Sequence, residues 1–207
     1  MGKYSQGILG PFSGKVGSVV GSSWKGVNYI KSLPGPNTSN TEKQQEQRSR
    51  FKSVVKMASL LLATLIRPVW NLSSGRITGY NLFVKTNINA FDQDGDLVNH
   101  SDFHASVGTL ALPSGLAIQD DVDVSSGIIV SWINESGSGI GNNDDDLHLV
   151  VVKYDEIHVL HPRNVRSDQS AELTLPVSPG TVHIYAYFGK ANGSQFSTDS
   201  YQEVILT

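Results

Sequence analysis

Cysteine is absent from this 207-residue chain, and methionine occurs only twice. Without a thiol the chain can hold no disulfide, no thiolate metal site and no cysteine nucleophile. Long apolar runs are missing too, because the longest one, residues 57–66, is far shorter than the roughly 20 residues that cross a bilayer. The opening MGKYSQGILG also lacks the apolar segment of a signal peptide. We therefore expect synthesis in the cytoplasm and no membrane span.

Acidic residues are nearly absent from the first part of the chain. Residues 1–90 contain twelve Lys/Arg and two acids, a net charge of +10, whereas residues 91–207 contain four Lys/Arg and seventeen acids, a net charge of −13. An asymmetry of this size concerns partners rather than fold. The basic part predicts an acidic partner, which can be nucleic acid, an anionic surface or the acidic part of another copy.

The glycine-rich stretch 10–33 predicts a β-hairpin. Residues 15–20 and 27–32 have strand character and flank a glycine-bounded loop, residues 21–26. Residues 1–13 lack periodicity and predict an extended arm. Because the apolar face of the hairpin is weak and an isolated hairpin is marginally stable in water, we expect it to lie on the rest of the chain or on a partner.

Two helices are predicted next. Thr41 and Gln44 fit a capping box, and the helix after them has basic first turns and apolar side chains at helical spacing. Those apolar residues are Phe51, Val54, Val55, Ala58, Leu61, Leu62 and Leu65. Pro68 is expected to end this helix. A second, shorter helix is predicted over residues 79–91.

From residue 92 onward, short β-rich runs alternate with turn clusters. Seven runs are present, at residues 107–112, 118–124, 128–133, 147–154, 171–175, 181–188 and 196–206. This spacing is typical of an antiparallel sandwich. GIIVSW, residues 127–132, resembles the second strand of a fibronectin type III or related immunoglobulin-like module, and residues 179–197 resemble its last hairpin. The resemblance implies a spacer or binding module, in which His183 takes the place of the corner tyrosine.

The predicted fold class is therefore α+β, mainly β. It combines a basic N-terminal β-hairpin plus helices, residues 1–91, with an acidic C-terminal seven-stranded antiparallel immunoglobulin-like β-sandwich, residues 105–207. Residues 92–104 are predicted to be the linker between them.

Two motifs in the N-terminal region point to a family. SGKVGSVVGSSWKGVNYIKSLP, residues 13–34, is followed by QRSRF at residues 47–51. The pair resembles a bacterial family of domains of unknown function, in which such a hairpin and QR-x-RF helix precede a β-rich part. The matching positions are Gly14, Gly17, Gly21, Trp24, Lys25, Gly26, Tyr29, Gln47, Arg48 and Phe51. The resemblance implies a family and no activity.

Aromatic and basic side chains of the N-terminal region form the candidate partner-binding set. Its members are Phe12, Trp24, Lys25, Tyr29, Lys31, Arg48, Arg50 and Lys52. This composition is used to stack bases and neutralise phosphates. The alternative is that Trp24 packs on the helix and the cations are simply solvated. In the acidic part, Asp144, Asp145 and Asp146 form either a candidate docking face or a solvated loop.

Each catalytic or ligand-binding motif lacks a required element. Gly21 and Gly26 have phosphate-loop spacing, but Val27 and Asn28 follow instead of lysine and a hydroxyl residue. The acidic run 92–96 lacks the glycine and glutamate of a calcium loop. We predict no catalytic residue, no metal and no cofactor. An enzyme would require the fold to bring His104, Asp144 and a pocket together.

The predicted function is that of a non-enzymatic structural or assembly protein. The hairpin and arm would engage other copies of the chain or a scaffold protein, with the acidic sandwich as spacer or docking face, possible forms being a filament or a phage-like particle. The alternative hypothesis is a nucleic-acid-binding adaptor that uses the basic half.

Overall fold

The chain divides into two compact units, Met1–Thr41 and Glu42–Thr207. The structure is a computed structural model that describes residues 2–3 (backbone only), 12–36, 40–135, 141–154 and 156–207. The predicted division lay within residues 92–104 instead. It differs because the helices share a hydrophobic core with the strands that follow them, so the chain has no boundary there.

The first unit is a four-stranded antiparallel sheet in the order β1-β4-β3-β2. Its strands are β1 (Gly2–Lys3), β2 (Gly14–Val16), β3 (Val19–Trp24) and β4 (Val27–Ser32). Lys25 and Gly26 join β3 to β4, and both have positive φ, 49° and 79°. This is the two-residue turn whose twist matches that of antiparallel strands.

The predicted bounds of the first hairpin strand and of the loop were wrong. The predicted strand 15–20 is interrupted by a turn at Gly17, whose φ is 59°, and most of the predicted loop 21–26 is strand β3. Gly21 lies inside this strand, and the Phe12 ring packs so closely on its backbone that a Cβ would lie 2.6 Å from the ring, so a larger residue would not fit there. Of the predicted arm, residues 1 and 4–11 lie outside the described residues.

The helical part begins with α1 (Glu42–Leu60), directly after Thr41 as predicted. It continues as a π-helix, Leu62–Trp70, and a short turn, α2 (Asn71–Ser73), bent by 90° from α1. Pro68 therefore lies within this segment and does not end it, because i→i−5 bonding such as Ile66 N–H to Leu61 C=O replaces the α-helical pattern there. The predicted second helix is α3 (Gly79–Asn87), extended by a 3₁₀ turn, Ile88–Ala90.

Two antiparallel sheets complete the second unit. The strands are β5 (Ala117–Asp121), β6 (Gly127–Ser131), β7 (Asp146–Lys153), β8 (Glu156–Leu160), β9 (Ser170–Thr174), β10 (Gly180–Gly189) and β11 (Ser200–Leu206). They form a four-stranded sheet, β11-β10-β7-β8, and a three-stranded sheet, β5-β6-β9. The described part of the chain is thus α+β with mostly antiparallel strands.

The four-stranded sheet is buried on both faces. One face packs side chains such as Val150 and Tyr185 against the helices, and the other packs Leu149 and Ile184 against the three-stranded sheet. Trp132 from the end of β6 lies in the second core, as its alternation with buried Ile128 and Val130 predicted.

Three local predictions about this unit were wrong. Residues 107–112 form only an isolated bridge, Leu110 with Ser197, rather than a strand. β8 was not predicted, and Tyr154, which follows β7, has a positive φ of 51° that the sequence did not indicate. The predicted linker 92–104 is packed structure, and its Phe103 is fully buried in the helix-facing core.

Candidate functional site

One face of the N-terminal sheet gathers aromatic and basic side chains. Residues opposite one another in register, or two apart along a strand, share a face. Lys15 and Lys31 both lie opposite Val20, and Tyr29 lies opposite Ser22. The members of this lysine–aromatic face are Lys15, Val20, Ser22, Trp24, Val27, Tyr29 and Lys31. The register therefore brings Trp24, Tyr29 and Lys31 of the predicted set together.

The tip of the β3–β4 hairpin projects an aromatic and a cation. The Trp24 side chain is 66% exposed, and the Lys25 ammonium lies 5.0 Å from the centre of its indole ring. Such a cation–π contact at an exposed site contributes about 0.5–1 kcal/mol. No hydrophobic residue among the described positions of Met1–Thr41 is fully buried, so this sheet has no apolar core of its own there.

The other predicted contact residues are placed differently. The Phe12 ring lies against Gly21, on the face opposite Trp24. Arg48, Arg50 and Lys52 lie on α1, in the second unit. A charge count could not show that these residues belong to different units.

The predicted acidic docking face is wrong for its central residue. Asp145 is completely buried, and its carboxylate Oδ2 accepts a hydrogen bond from the Arg166 Nε at 3.2 Å. Asp144 is exposed, and Asp146 is half-buried at the start of β7. Burial, followed by the charges of Asp144 and Asp145, raises the pKa of Asp146. The sequence reading missed this ion pair because its partners are distant along the chain.

A cleft of about 610 Å³ lies in the second unit between α1, residues 91–97 and the β7–β8 hairpin. Apolar side chains line it, among them Met57, Leu60 and Ile157. Asp94 and Asp96 also line the cleft. Three distant segments build it, so no local motif could have revealed it.

Histidines form close pairs on the four-stranded sheet. The rings of His100 and His183 stack with centroids 3.3 Å apart, and the Nδ1 atoms of His148 and His161 are 2.7 Å apart. Burial, followed by the neighbouring histidine, lowers the pKa of His100 and of His148 to about 4. Neutral imidazoles are therefore favoured at His100 and His148 at pH 7.

His104 has a different environment. Its Nδ1 lies 3.3 Å from a carboxylate oxygen of Asp199, and this hydrogen bond raises the pKa of His104. Its described partner is thus Asp199 and not the Asp144 that a catalytic site would have required.

The comparison with family models gives one match. The model of a family of unknown function, DUF6266, matches residues 11–203. The chain belongs to this family. The match spans both units of the DUF6266 chain, from the lysine–aromatic face to β11, and agrees with the resemblance found in the hairpin and QR-x-RF motifs.

Solved structures similar to this DUF6266 protein are fibronectin type III domains. The chicken CNTN1 FN1–FN3 domains are 12% identical with a TM-score of 0.37, covering 48% of this chain and 33% of that one. The fn3 domain of human contactin 1 is 12% identical with a TM-score of 0.32, covering 48% of this chain and 80% of that one. The chain thus spans about a third of the first of these structures. No curated protein matches the sequence significantly.

The described residues of the DUF6266 protein include no group of three or more His, Asp or Glu side chains that could hold a metal ion. No single helix among them is long and apolar enough to cross a membrane. Only the pair Glu42–Leu60 and Leu62–Ser73, bent by 90°, has the length and composition when taken together.

Proposed function

We propose that this DUF6266 chain is a non-enzymatic assembly protein whose N-terminal sheet engages neighbouring copies. The observation that carries the proposal is the lysine–aromatic face with its 66% exposed Trp24, on a sheet without a buried hydrophobic residue among its described positions. A small sheet gains stability when an apolar face is covered. Exposed tryptophan is also among the side chains that contribute most at protein interfaces.

Charge supports another copy as the partner. Residues 1–41 contain four lysines and no acid, whereas residues 91–207 carry a net charge of −13. A contact between the first unit of one copy and the second unit of the next joins different surfaces, and such contacts produce chains or shells when they do not close. We also propose that the two sheets of Glu42–Thr207 form an immunoglobulin-like sandwich that acts as spacer and acidic docking module in a filament or particle.

A specific observation favours a second candidate, which is single-stranded nucleic acid. Trp24 lies opposite Val27, so Tyr29 is its diagonal neighbour on the same face, with Lys15 and Lys31 beyond. Diagonal neighbours are about 7–8 Å apart and can stack successive bases while lysines contact phosphates. The net charge of −13 on residues 91–207 opposes this candidate, because nucleic acid is repelled by it.

Sedimentation velocity on the pure full-length chain tests the proposal. We expect species larger than the monomer that grow with protein concentration and shrink with added salt, because charged contacts are screened. A chain that begins at Glu42 is the control and should stay monomeric. A full-length chain that remains strictly monomeric at low salt and high concentration would contradict the proposal.

Titration of a labelled oligothymidylate distinguishes the second candidate. Binding that weakens steeply with salt and is lost in Trp24→Ser would favour nucleic acid. We expect no such binding.

A further inference from the structure

We propose that the cleft beside α1 is the receiving site for the β3–β4 hairpin tip of a second copy. This inference rests on the proposed function and names the two surfaces through which neighbouring copies would contact each other. The tip consists of Trp24, Lys25 and Val27, and the cleft is the 610 Å³ space described above. Two arguments support it, one from shape and hydrophobicity and one from charge.

The tip has the shape and rigidity that a cleft requires. Trp24 is 66% exposed and Val27 is 44% exposed, and they face each other across the end of the hairpin. The two-residue turn between them leaves little conformational freedom to lose on binding. Burying an aromatic side chain removes about 150–250 Å² from water, so the gain from inserting Trp24 is large for so small a contact.

The cleft offers an apolar surface of matching kind. Leu60 is 67% exposed on α1, with Met57 and Ile157 beside it in the cleft. Tyr154, 90% exposed, also lines the cleft, at the tip of the β7–β8 hairpin. These apolar side chains lie among polar ones, so the cleft offers Trp24 a partly apolar surface.

The charges of the hairpin tip and of the cleft are complementary. Asp94 and Asp96 line the cleft together with Lys56, so the cleft has a net charge of −1 among its lining side chains. The tip carries Lys25, and no acid lies within residues 1–41 of the chain. The ammonium that lies over the Trp24 ring would therefore meet a carboxylate when the indole enters the cleft.

The loop that carries Asp94 and Asp96 is stabilised by hydrogen bonds within it. The Asp92 Oδ1 accepts bonds from the backbone N–H groups of Asp94, Gly95 and Asp96, at 3.0, 2.8 and 2.8 Å. Gly95 has a φ of 93° and lies so close to α1 that a Cβ would overlap the hydroxyl of Ser53. The backbone that carries the Asp94 and Asp96 carboxylates is thus ordered before binding, which reduces the conformational entropy lost when a cation binds.

Reciprocal charge reversal tests the assignment on the full-length chain. One variant is Lys25→Asp, and the other combines Asp94→Lys with Asp96→Lys. Each alone should lose association, because like charges then meet at the contact. Mixed in equal amounts they should recover it, because each tip then finds a cleft of opposite charge. Trp24→Ser should weaken association at least about 30-fold, as expected for an interface anchor.

Matched controls carry the same charge changes elsewhere. Lys85→Asp on α3, and Asp123→Lys combined with Glu172→Lys, change exposed residues outside the tip and the cleft. They should associate like the native chain. Circular dichroism of all variants establishes that they are folded.

The outcomes distinguish a failure of the proposed self-association from a failure of the cleft assignment. A native chain that never associates contradicts the proposed function itself. Association of the native chain that survives the tip and cleft reversals, or a mixture that fails to recover, overturns the cleft assignment alone. Association lost only in the Asp123 and Glu172 control would place the receiving surface on that side of the molecule instead.

Discussion

Removing either partner of the buried Arg166–Asp145 pair should destabilise the protein severely. Both side chains are fully buried, and the Arg166 guanidinium also donates from Nη2 to the Ala111 carbonyl at 2.6 Å and lies 5.2 Å from the Phe188 ring centre. Arg166→Met leaves the Asp145 carboxylate buried without its counter-charge. The cost of such an unpaired charge is about 3–5 kcal/mol.

Urea unfolding followed by tryptophan fluorescence measures this cost. The Trp132 indole N–H donates to the Arg166 backbone carbonyl at 2.8 Å, so the probe reports on the same region. With a denaturant slope of about 2 kcal/mol per molar, the midpoint should fall by roughly 2 M. Arg163→Met is the matched control because Arg163 is exposed, and its effect should stay within about 0.5 kcal/mol.

The double variant Arg166→Met with Asp145→Leu refines the argument. It removes both charges together, so the remaining losses are mainly the hydrogen bonds to Ala111 and from the Asn142 N–H, about 1 kcal/mol each. It should therefore be more stable than either single variant. A loss below about 1 kcal/mol in Arg166→Met, or a double variant less stable than both singles, would refute the reasoning.

Two further predictions concern acid sensitivity and the division of the chain. The pKa of His148 is lowered from 6.5 to about 4, so the unfolded chain takes up its proton first, and stability should fall by up to about 3 kcal/mol between pH 6.5 and 4. Urea midpoints across this range should decline less steeply in His148→Phe, and an unchanged slope would contradict the assignment. A chain that begins at Glu42 should unfold cooperatively, whereas one that begins at residue 105 should not, because it exposes the sheet face that the helices cover. Differential scanning calorimetry compares the two, and a sharp transition in the shorter chain would show that the helices are dispensable.

Local patterns in the sequence were sufficient for several elements. The capping-box pattern that begins at Thr41 and the apolar spacing after it predicted the start of α1, and alternation along β6 predicted that Ile128, Val130 and Trp132 share a buried face. Alternation also predicted the inner face of β10. These signals are local because helix and strand periodicities are set by the backbone itself.

Other features have no local signal. The indole N–H of buried Trp70 donates to the Ala105 carbonyl at 2.8 Å, which joins the helical segment to residues predicted to lie in another domain. Gly21 was predicted to lie in a loop, but it lies inside β3, with the Phe12 ring against its backbone. Phe51 was counted among the apolar core positions of α1, yet it is 52% exposed. In each case the outcome depends on which distant residue packs nearby.

The amino-acid sequence by itself determined the chemistry available to this protein: no thiols, a basic first part and an acidic remainder. It also determined most of the helices and strands, since their periodicity is a short-range property. Only the tertiary structure decided that Asp145 is a buried partner of Arg166, that the helices cover one face of the four-stranded sheet, and that α1, residues 91–97 and the β7–β8 hairpin enclose a cleft. These features depend on contacts between segments far apart in the chain, where burial and charge pairing are settled by packing rather than by local pattern.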